Sequence, residues 1–160
     1  MPNLPYIEAI VKETMRMHPV VPLLVPRCAR EDCKVAGYDI QKGTRVIVNV
    51  WSIVRDPELW EKPEVFWPDR FMGKDIDFKG QDCKFLPFGA GRRMCPGYSL
   101  GLKVIQSSLA NLLHGYRWKL PNDMKPEDLD MEEIFGLTTP RKISLVAIVE
   151  PRLLRNLYSL

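Results

Sequence analysis

Residues 85–101 read FLPFGAGRRMCPGYSLG, and the single thiol in this stretch, Cys95, decides how the rest of the chain is understood. Pro87 argues against a continuous central strand, while Gly89 and Gly91 permit tight backbone that bulky residues forbid, so the residues before Cys95 form a bent loop. Such a loop can press flat against a large ligand. Pro96 is a favoured first helical residue, and Leu102, Ile105, Leu109, Leu112 and Tyr116 follow it at helical spacing. The pattern therefore puts Cys95 at a helix N-terminus, where unpaired N–H groups and the positive end of the helix dipole stabilise a thiolate. A thiolate is the form a soft metal site needs. Arg92 and Arg93 add fixed positive charge suited to carboxylates or phosphates.

Simpler readings compete with this one. Cysteine often serves as a small buried hydrophobe, so Cys95 without its neighbours would be core. A dinucleotide-binding reading of Gly89 and Gly91 fails because Met94 stands at the third glycine position and Pro87 spoils the preceding strand. Arg92 and Arg93 have too few basic neighbours for a nucleic-acid patch, so no nucleic-acid partner is expected.

At 160 residues the chain is long enough for one domain with a core, and 46% hydrophobic with 27% charged residues is the balance of an ordinary globular protein. The net charge of +3 is too weak to imply a polyanionic partner. Cys28, Cys33, Cys83 and Cys95 form no C-x-x-C pair and the two histidines lack zinc-finger spacing, which speaks against a zinc site and against a disulfide framework. No signal peptide is visible, and no apolar run approaches the ~20 residues that span a bilayer.

Taken in order, residues 4–17 read as a helix with Asn3 or Leu4 at its cap, Pro5 in its first turn, and Leu4, Ile7, Ile10, Val11 and Thr14 along one face. Pro19 ends it and makes His18 a helix-end residue. Glu13 and Arg16, three apart, share a face; on spacing alone they form a solvated pair worth well under ~1 kcal/mol. Residues 19–27, PVVPLLVPR, form a stiff apolar rail. Short strands follow at 33–35, 39–40 and 44–50 with turns at Gly37 and Lys42-Gly43, giving a small antiparallel sheet. Asp56-Pro57 caps a helical turn through Trp60, and 63–71 is an aromatic, proline-rich meander whose core would be Trp51, Trp60, Phe66, Trp67 and Phe71. Residues 73–84 read as a polar connection. After the long helix, Gly115 reads as a cap, 116–120 as a strand and 121–126 as a turn. Ile143, Leu145, Ala147 and Val149 then alternate as in a half-buried strand.

Phe88, Gly91, Arg93, Cys95 and Gly97 match the F-x-x-G-x-R-x-C-x-G haem-binding loop, and in this the chain resembles the cytochromes P450. Residues 13–16, ETMR, are similar to the family's E-x-x-R motif, and Pro68-Asp69-Arg70-Phe71 to its P-[ED]-R-F segment, with aspartate where glutamate is usual. The wording is most similar to plant microsomal, A-type members. The resemblance implies that Cys95 is the axial thiolate ligand of haem iron, that Arg93 and Arg27 meet haem propionates, and that Phe88 packs by the sulfur. Gly91 and Gly97 would admit the porphyrin closely. It also implies a buried structural triad of Glu13, Arg16 and Arg70.

By the same resemblance the rail residues Val20, Val21, Leu23, Leu24 and Val25, and Leu137 and Thr138 of the turn at 136–139, are candidate substrate contacts. The implied fold is α+β, the C-terminal part of a cytochrome P450 domain over residues 1–160, with the N-terminal portion, the membrane anchor and the proton-delivery helix outside it. The implied activity is a haem-thiolate monooxygenase that takes electrons from NADPH through a cytochrome P450 reductase and inserts one oxygen atom of O2 into a small lipophilic metabolite. Flavonoid-like phenolics and terpenoids lead as substrate classes. The parent would sit at the cytosolic face of the endoplasmic reticulum membrane. Two other readings stay open: a haem-binding or structural fragment without turnover, and a small redox or metal module using the four cysteines.

Overall fold

The computed structural model describes residues 4–158. Helix α1, Pro5–Met17, starts with Pro5 in its first turn behind Leu4, and Asn3 lies outside the described residues. It stops at His18, whose N–H donates to Thr14 O at 2.9 Å. The face through Leu4, Ile7, Ile10, Val11 and Thr14 is not the inward one. Leu4 and Thr14 are exposed, whereas Ala9, Val11, Lys12, Glu13 and Arg16 are buried. A charge network under the helix sets the inward stripe, so apolar periodicity alone misplaces it.

Two separate two-stranded ribbons replace the single small sheet expected after the rail. Strand β1, Arg27–Cys28, pairs antiparallel with β4, Arg45–Val46. Strand β2, Cys33–Val35, pairs with β3, Tyr38–Ile40, through a turn in which Ala36 and Gly37 both have positive φ. The strand expected over 44–50 ends early because Asn49 Oδ1 accepts from Ser52 N at 3.0 Å and opens a short helix α2, Val50–Ile53. Around Asp56 the chain makes the capped turn through Trp60 that the sequence suggests, with Glu58 N donating to the Asp56 side chain and Trp60 N to its carbonyl, both at 2.9 Å.

The main core joins Ala9 and Val11 of α1 to Trp60, Phe71, Ile76, Phe78 and Phe85. A smaller one joins Val50, Val54 and Leu86. Of the aromatics assigned to the meander core, Trp51 and Phe66 are 49% exposed and Trp67 is half-buried. Trp51 finds its partner at the surface, beneath the Arg55 guanidinium at 4.5 Å. The connection 73–84, read as polar, instead supplies Ile76 and Phe78 to the interior. Gly80 fixes it there. At φ +69° a Cβ on Gly80 would lie 2.6 Å from Gly89 O and 2.9 Å from both Ala90 Cβ and Leu86 Cδ2.

Helix α3, Tyr98–Gly115, begins two residues later than Pro96 suggests, with Gly97 at its cap, and Gly115 is its last residue rather than a cap. Strand β5, Tyr116–Lys119, pairs antiparallel with β6, Ile148–Pro151. The alternation through Ile143 and Leu145 is therefore not a strand. Pairing stops at Lys119 opposite Ile148, and both earlier side chains stay exposed. The Tyr158 hydroxyl locks the end of the ribbon by donating to Gly115 O and accepting from Arg152 N and Leu153 N. Helices with small antiparallel ribbons make this an α+β chain, and among the described residues no helix is long and apolar enough to cross a membrane.

Candidate functional site

The loop around Cys95 hangs from the core by a run of rings. Phe71 meets Phe85 at 5.3 Å between centroids, Phe85 meets Phe78 at 6.0 Å, Phe78 meets Phe88 at 6.5 Å, and Phe88 meets Tyr98 at 6.2 Å. The run thus passes from the interior, through the start of the loop, to the first residue of α3. The backbone closes the loop around Cys95, whose N–H donates to Phe88 O at 3.0 Å. Gly89 and Gly91 sit at φ +71° and +65°, where a side chain would strain the bend. A Cβ on Gly97 would lie 3.9 Å from the Cys95 sulfur. The thiol is exposed, as are those of Cys28, Cys33 and Cys83, and all four are free. Among the described residues no group of three or more His, Cys, Asp or Glu could hold a bare metal ion.

The charge network of α1 ties the helix to the meander. Glu13 Oε2 accepts from Arg16 Nε at 2.9 Å; Oε1 accepts from Arg16 NH2 at 3.0 Å, Arg70 Nε at 3.1 Å and Trp67 N at 2.8 Å. Arg16 NH1 donates to Val54 O at 2.7 Å, and Arg70 also donates to the carbonyls of Glu61, Lys62 and Val65. Glu13 and Arg16 are fully buried. Every charge here has partners, the condition under which a buried ion pair persists. The structure thus brings Glu13, Arg16 and Arg70 into one site. It pins the meander, and Val54 of the smaller core, to α1. Nearby, burial pushes the Arg55 guanidinium below its ordinary pKa, an effect the Glu64 carboxylate partly offsets.

Arg27 and Arg93 line one cavity of about 960 Å³ together with Val25, Pro26, Cys28, Ala29, Arg30, Lys42, Gly43 and Arg92. Among the described residues none of its arginines forms an ion pair with an acid of the chain. Cys95 is not part of this lining. A large wall with apolar and cationic faces, beside an exposed thiol on a glycine-bent loop, fits a flat apolar group carrying carboxylates and a metal that takes sulfur. Haem is such a group. Arg30 and Lys42 escape notice in the sequence because only the pairing of β1 with β4, extended by Ala29 N to Thr44 O and Gly43 N to Ala29 O, both at 2.9 Å, carries them to the cavity.

The rail and the 136–139 turn meet. Val20, Leu23 and Val25 of the rail and Leu137 of the turn are exposed, as is Thr138, and Val21 is half-buried. Leu24 differs from its neighbours: at φ 50° it turns inward onto the cluster of Val50, Val54 and Leu86. The contact between the two segments runs through Thr139, which the sequence reading passed over; its place just before Pro140 was the available signal.

An exposed thiol on a glycine-bent loop ahead of a helix, near a cavity edged by arginines, is an arrangement suited to a metal group held through sulfur. Residues 1–146 match the family profile described as Cytochrome P450, and the chain belongs to the cytochrome P450 family. It is 56% identical to the trimethyltridecatetraene synthase of Zea mays over 99% of this chain and 30% of that protein. It is 52% identical to the dimethylnonatriene synthase of Zea mays, again over 99% and 30%. Identity to cytochrome P450 76C4 of Arabidopsis thaliana is 56% over 91% of this chain and 29% of that protein. Among solved structures, a zebra fish cytochrome P450 with abiraterone superposes with a TM-score of 0.81 at 36% identity, covering 94% of this chain and 34% of that one. The chain thus spans about three-tenths of the length of the plant relatives it matches.

Proposed function

We propose that the chain is the haem-proximal, C-terminal part of a plant microsomal monooxygenase, one partial domain over residues 1–160. Cys95 supplies the axial thiolate, Arg93 and Arg27 pair with the propionates, Phe88 shields the sulfur, and Gly91 and Gly97 leave room for the porphyrin edge. A thiolate-ligated haem supplies the electron density that favours O–O cleavage. The chain's own contribution is placement: the ring run and the Glu13 network hold the loop, Val20, Val21, Leu23, Val25, Leu137 and Thr138 wall the substrate side, and Leu24 ties the rail to the smaller core. Electrons come from NADPH through cytochrome P450 reductase, and the parent works at the cytosolic face of the endoplasmic reticulum. The names of the two maize relatives describe methyl-branched polyene hydrocarbons, which favours a terpenoid over a flavonoid-like phenolic as the small lipophilic substrate. The observation that carries the reading is Cys95 on its glycine-bent loop, beside a cavity edged by Arg27 and Arg93.

One observation favours a narrower reading for the 160 residues by themselves. Leu100, Val104, Ile105, Leu112 and Leu113 of α3 are 40–70% exposed, so the helix offers an apolar side to water. A chain in that state binds haem without enclosing its distal side. Residues 1–160 are to be expressed and given haem, reductase and NADPH, with product and peroxide measured together. Haem uptake with peroxide as the sole product supports a non-catalytic fragment. Substrate oxygenation coupled to NADPH use overturns it, and no haem uptake with or without reductase counts against the haem assignment.

A further inference from the structure

We infer that Thr139 is a positioning residue that sets the spacing between the two walls of the substrate side, an inference that rests on the haem-monooxygenase reading above. The rail is fixed from behind. Pro19 is buried, Arg55 NH2 donates to Met17 O at 2.7 Å, Trp51 N donates to Pro22 O at 3.1 Å, and Leu24 packs on the smaller core. The opposite wall is a hairpin with its own internal ties. Ile134 N donates to Pro140 O at 2.9 Å, Lys142 N to Glu132 O at 2.7 Å, and Arg141 NH2 to Asp130 O at 2.6 Å. Each wall is thus stiff by itself, and their separation depends on what joins them.

Among the described residues three hydrogen bonds join them, and Thr139 makes two. Its N–H donates to Val20 O at 3.2 Å and its hydroxyl to Pro19 O at 3.1 Å. The third, His18 Nδ1 to Glu133 Oε1 at 3.2 Å, lies between side chains 39% and 36% exposed, where water screens it. Pro140 restricts Thr139 to extended backbone, so both donors are aimed at the rail in advance. The tip beyond, with Phe135 89% and Leu137 64% exposed, is carried as a lever by this one residue. Loosening it leaves the iron side untouched but widens the range of positions the far wall can take. A ligand that reaches that wall must then order it on binding.

The test uses the full-length haem-loaded protein that carries this chain, with imidazole and 1-dodecylimidazole as iron-binding probes read by the Soret shift. Thr139→Val keeps the shape and removes the hydroxyl, while Thr139→Ser keeps the hydroxyl. Thr139→Val should weaken 1-dodecylimidazole about threefold to tenfold, the usual effect of one lost hydrogen bond, and leave imidazole unchanged. Thr139→Ser should restore the long-chain affinity. Equal affinities for both probes in all three proteins overturn the inference, as does a parallel loss for both probes, which reports damage to the fold. A wild-type protein with no Soret shift on adding imidazole overturns the haem reading itself, and the positioning role with it.

Discussion

Among the described residues every buried hydrophobic side chain falls between Ala9 and Leu86, whereas beyond residue 90 the only buried residue is Gly115. The first region closes around its own interior, with an ion network and a cluster of rings at its centre. The second presents Leu100, Phe135 and Leu154, each 70% or more exposed, and joins the first through Leu102 and Leu109 of α3 packed on the main core, the ring pair of Phe88 and Tyr98, the His18–Glu133 pair and Thr139. The difference teaches that stability and function are separated along this chain. The early region anchors the Cys95 loop, and the later region exposes apolar surface.

The contrast can be broken most forcefully at its centre. Glu13→Ala leaves Arg16 and Arg70 buried without their carboxylate and should cost on the order of 3–5 kcal/mol in denaturant unfolding. An unchanged midpoint would mean that the network does not hold the first region together. Phe85→Ala, at 1% exposure, should cost about 3–5 kcal/mol through its cavity, while Phe135→Ala, at 89%, should stay within about 0.5 kcal/mol. Equal costs would erase the distinction between the two regions.

Gly80→Ala gives a finer cut. Strain at positive φ and the close approach to Gly89 O should cost about 1–3 kcal/mol and lower haem occupancy, because the same contact positions the loop. Occupancy equal to wild type would uncouple the 73–84 connection from the site. The smallest effect belongs to the later region. The Lys119 ammonium, 2.7 Å from Glu150, holds that carboxyl below its ordinary pKa. With the folded value depressed, the pair's contribution is fully present above pH 4.5 and is lost as pH falls through the lowered value. Lys119→Met should therefore flatten the acid side of the melting-temperature profile slightly, and added salt should mimic it.

Much of the site was legible because its chemistry is local in sequence. Five positions from Phe88 to Gly97 state the loop, and a three-residue spacing puts Glu13 beside Arg16. What stayed hidden depends on contacts between distant segments. Residue type could not say that Trp60 is buried and Trp51 is not, since an arginine at the surface satisfies the second ring. The valine-rich run at 44–50 favours a strand by propensity, yet one asparagine cap at Asn49 starts a helix. Alternation from Ile143 to Val149 mimics a strand whose first half has no partner opposite it. Thr139 was passed over because its partners lie some 120 residues away.

The central claim is that Cys95 alone ligates iron. The measurement is the absorption spectrum of the reduced carbonyl complex of the haem-loaded full-length protein, with serine placed in turn at each cysteine. Cys95→Ser should abolish the thiolate-type, red-shifted Soret band, while the same change at Cys28, Cys33 or Cys83 should leave it intact. A red-shifted band that survives in Cys95→Ser, or that disappears with one of the other three, would contradict the account.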